Sequence, residues 1–368
     1  MNGRIVPFRG DLDAVLRVFA SVCDAGSIPL IGDARWPDAQ WDAVQHRAET
    51  AEVPDDAAWA TTTSGSSGTP RILVRSTRSW AASFPLITDL LGGAETVALP
   101  APPASSLTLF SLAHARSGGP APAFSPAAMR AATAVHGTPQ GFQRLLDADA
   151  IPAVRTALIG GSSLDPALRA RAEAREIRVI TYYGAAELSF VAADYGHGLR
   201  PLPGVDIEVR AGTLWVRSPF AALGYLGENG PLRRAGDWIT VGDLATLDAG
   251  VLTLRGRSDG AIQTASATVI PEEVEETLRL VSGITEAVVF AYPAGNVGSL
   301  VAVILDSASG RDAASIAALR DRAAALLAPA HRPRLWFMGE IPRTAAGKPA
   351  RAEIVRRVLA GEVERVIR

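Results

Sequence analysis

The order of hydrophobic and polar residues predicts alternating strands and helices in the first half of the chain. Short apolar runs such as TVALPAP and RVITYYG alternate with amphipathic segments such as SLDPALRARAEAREI. This alternation is typical of βαβ units, in which helices pack against a largely parallel sheet. The Ala- and Pro-rich residues 100–128 interrupt the pattern and predict a loop region.

The pattern changes again in the second half of the chain. Residues 203–254 contain short strand-like segments with glycine turns (DIEVRAG, TLWVRS and VLTLRGR), which predict a small antiparallel, barrel-like subdomain. Polar and small residues follow Arg257, and a helix is predicted to open at Pro271. Strand-like EAVVFAY and LVAVILD, another helix and a terminal amphipathic helix over AEIVRRVLAGEVERVIR then predict a separate small α/β unit.

Composition and charge exclude several classes of protein. The 36 basic and 38 acidic residues give a net charge of −2, so the chain has no field to attract nucleic acid. Cys23 is the only cysteine, which excludes an internal disulfide and suits a reducing cytosol. The chain has neither a signal-peptide core at its N-terminus nor a run of apolar residues long enough to span a membrane. We therefore expect a cytoplasmic enzyme.

Lys348 is the only lysine among the 36 basic residues. Arginine replaces lysine readily where only a solvated positive charge is needed, but a compact ammonium enters sites that a planar guanidinium does not. The single lysine therefore marks a candidate functional position, with the chance survival of one surface lysine as the alternative.

A segment rich in glycine and hydroxyl residues, TTTSGSSGTPR over residues 61–71, follows the strand-like AWATTT. Backbone N–H groups and small hydroxyl side chains can surround phosphate oxygens without steric hindrance, which favours an anion-binding loop. The GK[ST] ending of a Walker A loop is missing. A flexible surface linker is the alternative for this segment taken alone.

Four further segments carry candidate chemistry. YYGAAE (residues 182–187) places aromatic rings, a glycine and a carboxylate at the carboxyl end of a predicted strand, where α/β sheets bind ligands. TVGD (240–243) and RGRSD (255–259) supply a carboxylate and a guanidinium that can hold ribose hydroxyls. IPRTAAGKPAR (341–351) carries the lysine on a loop. Each of them, taken singly, also fits a strand end, a turn or a loop tip.

Taken together and in order, these segments resemble the core motifs of the adenylate-forming superfamily, which includes acyl-CoA synthetases, luciferase-like enzymes and peptide-synthetase adenylation domains. The resemblance covers about residues 59–351 and is closest to free-standing bacterial acyl-CoA ligases of the fatty-acyl and o-succinylbenzoate types. Outside the phosphate loop it rests on Gly160, Gly161, Tyr183, Gly184, Glu187, Gly224, Tyr225, Gly242, Asp243, Gly256, Arg257, Asp259, Pro271, Glu273, Val274, Glu275 and Lys348.

The resemblance implies an α/β fold with two domains. Residues 1–256 would form an N-terminal AMP-binding domain, shortened relative to the family, with mostly parallel sheets and the small antiparallel subdomain. Residues 257–260, including Asp259, would form a hinge. Residues 261–368 would form a small mobile α+β lid that carries Lys348.

The resemblance also implies a reaction in two steps that uses ATP, Mg²⁺ and CoA. A small carboxylic acid attacks ATP to give an acyl-adenylate and pyrophosphate, and a thiol then displaces AMP. Lys348 and Glu187 would be catalytic: Lys348 would bridge carboxylate and phosphate oxygens, and Glu187 with Thr63 would hold Mg²⁺. The residues expected to bind ATP or AMP are Thr62, Thr63, Ser64, Gly65, Ser66, Ser67, Gly68, Thr69, Arg71, Gly161, Tyr183, Gly184, Asp243 and Arg257.

Four positions depart from the family pattern. Arg71 and Ala186 replace a usual Lys and Thr, and Gln263 and Ser266 stand where Lys and Gly are expected along the pantetheine tunnel. Two alternatives therefore stay open: an adenylating enzyme that loads an acyl or peptidyl carrier protein, and a non-catalytic relative that binds an adenylate.

The resemblance gives only a coarse view of the acyl pocket. Its residues are expected after Trp80, within 105–115 and within 182–191. The apolar residues there favour an apolar acid; they are Leu107, Leu109, Phe110, Leu188, Phe190 and Val191. Three histidines without evident partners, His114, His136 and His197, are expected to be structural or solvated.

Overall fold

The computed structural model describes residues 3–63, 70–161, 163–227, 230–257, 260–264, 268–293, 299–306, 313–327, 329, 331–344 and 347–366. Its first part contains two sheets with helices packed on them. Elements up to residue 147 are β1 (Ile5–Phe8), α1 (Leu12–Asp24), β2 (Ile28–Ile31), α2 (Asp38–Thr50), β3 (Ala57–Thr63), β4 (Arg71–Ser76), α3 (Thr77–Ala81), α4 (Phe84–Leu90), β5 (Thr96–Ala98), α5 (Ser106–Arg116), β6 (Ala121–Ala123), α6 (Pro126–Ala131), β7 (Ala134–Gly137) and α7 (Pro139–Asp147).

The middle of the chain completes the large sheet and adds an antiparallel one. Its elements are β8 (Thr156–Gly160), α8 (Pro166–Glu173), β9 (Arg178–Ala185), β10 (Ser189–Asp194), β11 (Arg200–Pro201), β12 (Asp206–Arg210), β13 (Thr213–Arg217), β14 (Gly224–Tyr225), β15 (Arg233–Ala235), β16 (Trp238–Thr240), β17 (Asp243–Asp248) and β18 (Val251–Arg257).

The largest sheet has seven strands in the order β11-β10-β9-β8-β7-β5-β6. Strands β5 to β9 pair in parallel, while β10 and β11 add antiparallel at one edge. A second sheet, β1-β2-β3-β4-β14, is parallel from β1 to β3 and antiparallel beyond. These two sheets confirm the largely parallel α/β fold predicted from the alternating pattern.

Strands β12, β13 and β15 to β18 form a six-stranded sheet in which the pairings are antiparallel. Alternate residues of β13 are buried, and Trp215 lies between the buried Leu214 and Val216. This period of two is what a sheet with one covered face requires. The antiparallel subdomain predicted for residues 203–254 is confirmed.

The C-terminal part forms a small α+β unit. It contains β19 (Ile262–Gln263), β20 (Thr268–Val269), α9 (Pro271–Arg279), β21 (Ala287–Pro293), β22 (Ser299–Asp306), α10 (Ala313–Leu326), β23 (Leu335–Gly339), α11 (Arg351–Leu359) and β24 (Glu364–Arg365). The sheet order is β21-β22-β23-β24.

The hydrophobic cores separate near Arg257. Among the described residues, three clusters of buried side chains contain only residues that precede it, and two contain only residues that follow it. One ion pair that crosses this point joins Arg255 Nε on β18 to Glu273 Oε1 on α9 at 2.8 Å. None of the helices described is long and apolar enough to cross a membrane.

Residues 100–128 do not form the predicted loop region. Helix α5 begins behind Ser105, whose hydroxyl accepts a hydrogen bond from the Thr108 backbone N–H at 3.1 Å. Helix α6 begins in the same way behind Ser125, with Pro126 in its first turn. The prediction was wrong because it weighed Ala and Pro content above these caps, and proline suits a first helical turn.

The terminal helix is shorter than predicted. Helix α11 ends at Leu359, and Gly361 has φ +73°, a left-handed conformation that ends helices. The residues beyond it turn back, and β24 pairs with β23. Within this segment, residues 352–359 are therefore helical and residues 364–365 form a short strand.

Candidate functional site

The candidate site lies where parallel strands β8 and β9 of the seven-stranded sheet end. Gly160 pairs with Tyr182 in the neighbouring strand, and the Tyr182 ring covers it so closely that a Cβ at Gly160 would overlap the ring. Gly161 follows with φ +96°, which favours glycine. The carboxyl end of a parallel sheet is where α/β proteins bind ligands.

The hairpin between β9 and β10 carries the YYGAAE motif. Gly184 lies opposite Phe190, and a Cβ there would overlap the carbonyl oxygen of Ser189. The Tyr183 hydroxyl donates a hydrogen bond to Asp243 Oδ2, 60 residues away in sequence. Asp243 pairs with Arg257 between β17 and β18. The backbone thus brings Tyr183, Asp243 and Arg257 together, as their predicted shared role requires.

Glu187 is buried and is held by one hydrogen bond to its carboxylate and one to its backbone carbonyl. Glu187 is 7% exposed, its Oε1 accepts a hydrogen bond from the Tyr225 hydroxyl, and its carbonyl accepts from the Ala222 N–H at 2.8 Å. Tyr225 lies on β14, which pairs with β4. Glu187 is therefore tied to the sheet that follows the predicted phosphate loop.

The oxygen donors of Glu187 and Thr63 are of the type that suits a magnesium ion held mainly by a substrate. The described residues contain no group of three or more His, Cys, Asp and Glu side chains that could hold a metal alone. Mg²⁺ prefers oxygen ligands and is commonly bound by one or two carboxylates together with substrate phosphates. Glu187 and the hydroxyl of Thr63, at the end of β3, supply oxygens of this kind.

Arg75 is a site residue that the sequence analysis missed. It is 1% exposed, its Nη1 donates to the Phe220 carbonyl at 2.7 Å, and its Nη2 donates to the Ala186 carbonyl. Burial lowers the pKa of Arg75 to about 9, and the Glu187 charge opposes that effect, so the guanidinium is protonated at neutral pH. An arginine directly after the apolar run ILV, within strand β4, was the available signal.

Lys348 lies on a hairpin whose described residues are 343, 344 and 347–349. The Thr344 N–H donates to the Lys348 carbonyl at 2.7 Å, the Gly347 N–H donates to the Thr344 carbonyl at 2.9 Å, and Arg343 pairs with Pro349. The hairpin reaches the carboxyl end of β8, because a Cβ at Gly161 would lie 3.8 Å from Lys348 Cε. The structure therefore brings the single lysine to the glycine turn after β8.

The predicted phosphate loop is described only at its two ends. Thr62 and Thr63 end β3, Arg71 begins β4, and Thr63 pairs with Arg71 across the hairpin. Ser64, Gly65, Ser66, Ser67, Gly68 and Thr69 lie outside the described residues. The same holds for Asp259 and Ser266 and for the side chains of Arg257 and Gln263.

Two of the three histidines have hydrogen-bond partners that the sequence analysis did not identify, and their buried positions agree with the structural role expected there. His136 is 1% exposed, with Nε2 3.1 Å from the Tyr182 hydroxyl and Nδ1 3.3 Å from Ser111 Oγ. His114 Nε2 lies 2.9 Å from Thr88 Oγ1. Burial lowers the pKa of His136 to about 3, so this imidazole is neutral and structural. His197 is exposed.

The apolar residues expected in the acyl pocket belong to one large hydrophobic cluster that includes parts of α5 and β10. Phe110 and Phe190 stack edge to face at 4.9 Å, and Trp80 packs against Phe110 at 5.5 Å. Leu107 packs against this cluster, and Leu109, Phe110, Leu188, Phe190 and Val191 lie within it. Leu109, Phe110, Leu188, Phe190 and Val191 are therefore buried core residues, each at most 5% exposed.

Comparison with known proteins gives a family match. Residues 15–226 match the family model of the AMP-binding enzymes. A medium/long-chain-fatty-acid–[acyl-carrier-protein] ligase, FadD10 of Mycobacterium tuberculosis, is 29% identical over 257 residues, which cover 59% of this chain and 47% of FadD10. The chain thus spans about half of that relative. A probable 2-succinylbenzoate–CoA ligase of the same organism is 29% identical over 339 residues, 85% of this chain and 87% of the relative.

Solved structures with a similar fold include a variant of E. coli MenE with bound OSB-AMS. That structure is 19% identical, has a TM-score of 0.81 and is matched over 97% of this chain and 88% of its own. The amide bond synthetase McbA from Marinactinospora thermotolerans is 23% identical, with a TM-score of 0.69 over 96% of this chain and 80% of its own. At these identities the similarity establishes the fold.

Proposed function

Because this chain belongs to the AMP-binding enzyme family, we propose that it is an ATP-dependent ligase that joins a small carboxylic acid to the thiol of CoA. A carboxylate oxygen attacks the α-phosphorus of ATP, and pyrophosphate leaves. The thiolate then attacks the acyl carbon of the adenylate, the bond to AMP breaks, and the thiol proton goes to solvent. The products are the thioester, AMP and pyrophosphate.

The position of Lys348 is the observation that carries this proposal. Negative charge accumulates around phosphorus in the first step, so catalysis depends on positioning and on positive charge. The Lys348 side chain lies beside Gly161, at the carboxyl ends of β8 and β9, where Tyr183 and Gly184 follow Tyr182 on β9. An ammonium there can bridge the attacking carboxylate and a phosphate oxygen.

The other site residues hold the nucleotide in this proposal. Asp243, fixed by the Tyr183 hydroxyl, accepts hydrogen bonds from the ribose together with Arg257. Thr62, Thr63 and Arg71 lie at the ends of the loop that surrounds the phosphates. Glu187 and Thr63 hold Mg²⁺, which neutralises phosphate charge when it is bound.

We propose two domains, 1–256 and 261–368, joined by a hinge at 257–260. The separation of the hydrophobic cores near Arg257 supports this division. In this arrangement the lid delivers Lys348 for adenylation and then withdraws it, so that the thiol can reach the adenylate.

A carrier-protein thiol is the second candidate acceptor. The similarity to FadD10 supports it, since that relative is named as a ligase for acyl-carrier protein. Gln263 and Ser266 also stand where the resembling family has Lys and Gly. The adenylation step is the same for both acceptors.

Acid-dependent release of pyrophosphate from ATP and Mg²⁺ tests the proposal. We expect release with at least one acid from a panel of aromatic and aliphatic carboxylic acids. Thioester formation with CoA or with a phosphopantetheinylated carrier then identifies the acceptor. Binding of ATP without release for any acid would instead favour a non-catalytic relative.

A further inference from the structure

The hairpin that carries Lys348 contacts the start of helix α7. This helix begins just after β7, and Thr138 caps it by accepting a hydrogen bond from the Gly141 N–H at 3.2 Å. Gln140 is half-buried in its first turn. In the orientation that satisfies both ends of its amide, Oε1 accepts from Arg343 Nε at 3.0 Å and Nε2 donates to the Gly347 carbonyl at 3.3 Å.

Both of these hydrogen bonds reach the hairpin that carries Lys348, and their two partners on it are bonded to each other. Arg343 also donates from Nη1 to the Gly347 carbonyl at 3.0 Å, and its Nη2 pairs with Glu286. Gly347 has φ +79°, and a Cβ there would lie 2.6 Å from the Gln140 amide atom that is Nε2 in this orientation. The absence of a side chain at Gly347 thus permits the close approach of Gln140. The Gln140 amide binds the hairpin at Gly347, one residue before Lys348.

The contact lies next to the glycine turn that the lysine side chain reaches. A Cβ at Gly161 would lie 3.6 Å from Thr138 Cγ2 and 3.8 Å from Lys348 Cε, so α7, the glycine turn and the lysine converge. Neither bond of Gln140 involves the ammonium of Lys348. Gln140 can therefore act on the position of the lysine without touching the reacting atoms.

We infer that Gln140 is a positioning residue that docks the hairpin carrying Lys348, through Arg343 and Gly347, and so holds Lys348 at the site of adenylation. This inference rests on the proposed function and adds to it a residue outside the motifs. Loss of the docked state slows only the step that needs the lysine. Thioester formation from an adenylate already made does not need it.

The test variant is Gln140→Leu, which keeps the approximate shape and removes both hydrogen bonds. Two ordinary hydrogen bonds together justify about a tenfold loss in kcat for pyrophosphate release, with little change in KM for ATP or acid. Thioester formation from a supplied acyl-adenylate should be unchanged. Gln140→Glu keeps the acceptor for Arg343 and loses the donor to Gly347, so its kcat should lie between those of wild type and Gln140→Leu.

Gln143→Leu is the matched control, because Gln143 is exposed on the same helix. The second readout does not depend on activity. Lys348 is the only lysine, so an amine reagent such as formaldehyde with cyanoborohydride reports on it through one peptide in mass spectrometry. Gln140→Leu should be modified faster than wild type, and Gln143→Leu at the wild-type rate.

The outcomes separate the inference from the proposed function. Equal labelling in wild type and Gln140→Leu overturns the inference whatever the enzyme does. An equal loss in both half-reactions also overturns it, because the residue would then be merely structural. If the wild-type protein releases no pyrophosphate, the proposed function fails, and faster labelling of Gln140→Leu would still establish the docking role.

Discussion

The two sides of the candidate site are built in opposite ways. On the nucleotide side, Arg75 is 1% and Glu187 7% exposed, and their partners come from elements far apart in the sequence. On the other side, Lys348 is exposed, and the backbone bonds that shape its hairpin join residues within a few positions of each other. One side is fixed by the whole fold and the other by a local turn.

This difference matches what each side has to do in the proposed reaction. Groups that hold a nucleotide must stay in place, and buried hydrogen bonds between distant parts of the chain give that rigidity. A group that must arrive and leave is better carried on a small unit whose own shape does not depend on docking. The comparison therefore predicts that activity and stability respond separately to changes on the two sides.

The largest effect is expected for Lys348→Ala. Removing an oriented cation should lower acid-dependent pyrophosphate release by about 10²–10³-fold. The unfolding midpoint in urea should stay unchanged, because the side chain is exposed. Lys348→Arg should remain impaired, since a planar guanidinium does not replace a compact ammonium. Full activity in either variant would contradict the comparison.

Arg75→Met should affect stability as well as activity. The change leaves the carbonyls of Ala186 and Phe220 without their donor and Glu187 without its nearby positive charge. We expect a loss of about 3 kcal/mol in the free energy of unfolding, measured by urea denaturation. Arg78→Met, on the exposed face of α3, is the control and should be neutral. A neutral Arg75→Met would mean that the nucleotide side is not rigidly built.

Tyr183→Phe should have a smaller effect, confined to the nucleotide. The hydroxyl that fixes Asp243 is lost while the ring stays. A hydrogen bond to a charged group justifies about a tenfold rise in KM for ATP, with kcat nearly unchanged. Steady-state kinetics at varied ATP measures both. A fall in kcat alone would mean that Asp243 does not need this hydroxyl to meet the ribose.

Residues within short motifs could be predicted from the sequence, because their meaning is local. Tyr183, Asp243 and Lys348 were selected in this way, and the structure brings Tyr183 to Asp243 and Lys348 to Gly161. Arg75 was missed because its role depends on Phe220, 145 residues away. Gln140 was missed for the same reason, since its partners lie on another part of the chain.

The fold was predicted where the hydrophobic period was clear and missed where composition replaced it. The strands around TALIG and TYYG were predicted from their apolar runs. Helix α5 was missed because the prediction relied on the local content of Ala and Pro. That content carries no information on the Ser105 cap or on the burial of the helix. The prediction extended helix α11 too far because the amphipathic pattern continues past Gly361. In the structure the left-handed conformation of this glycine ends the helix.

The smallest predicted effect is the dependence of stability on pH. It involves the buried side of the site and no measurement of activity. His136 is held neutral because burial, with a smaller contribution from the His114 charge, lowers its pKa to about 3. The unfolded chain takes up a proton near pH 6.5 while the folded chain does not, so stability is full above that pH and falls as the pH decreases toward 3. The lowered pKa of His136 should therefore reduce the free energy of unfolding by about 1 kcal/mol between pH 7 and 5.5.

His136→Asn should therefore lower stability at pH 7, because the hydrogen bonds to Ser111 and Tyr182 are perturbed, yet flatten its dependence on pH. Urea denaturation at several pH values measures the slope. Burial also lowers the pKa of His114, so part of the slope should remain. His197→Asn, at an exposed position, should leave the slope as it is. An unchanged slope in His136→Asn would show that this imidazole is hydrated rather than sealed in the rigid side of the molecule.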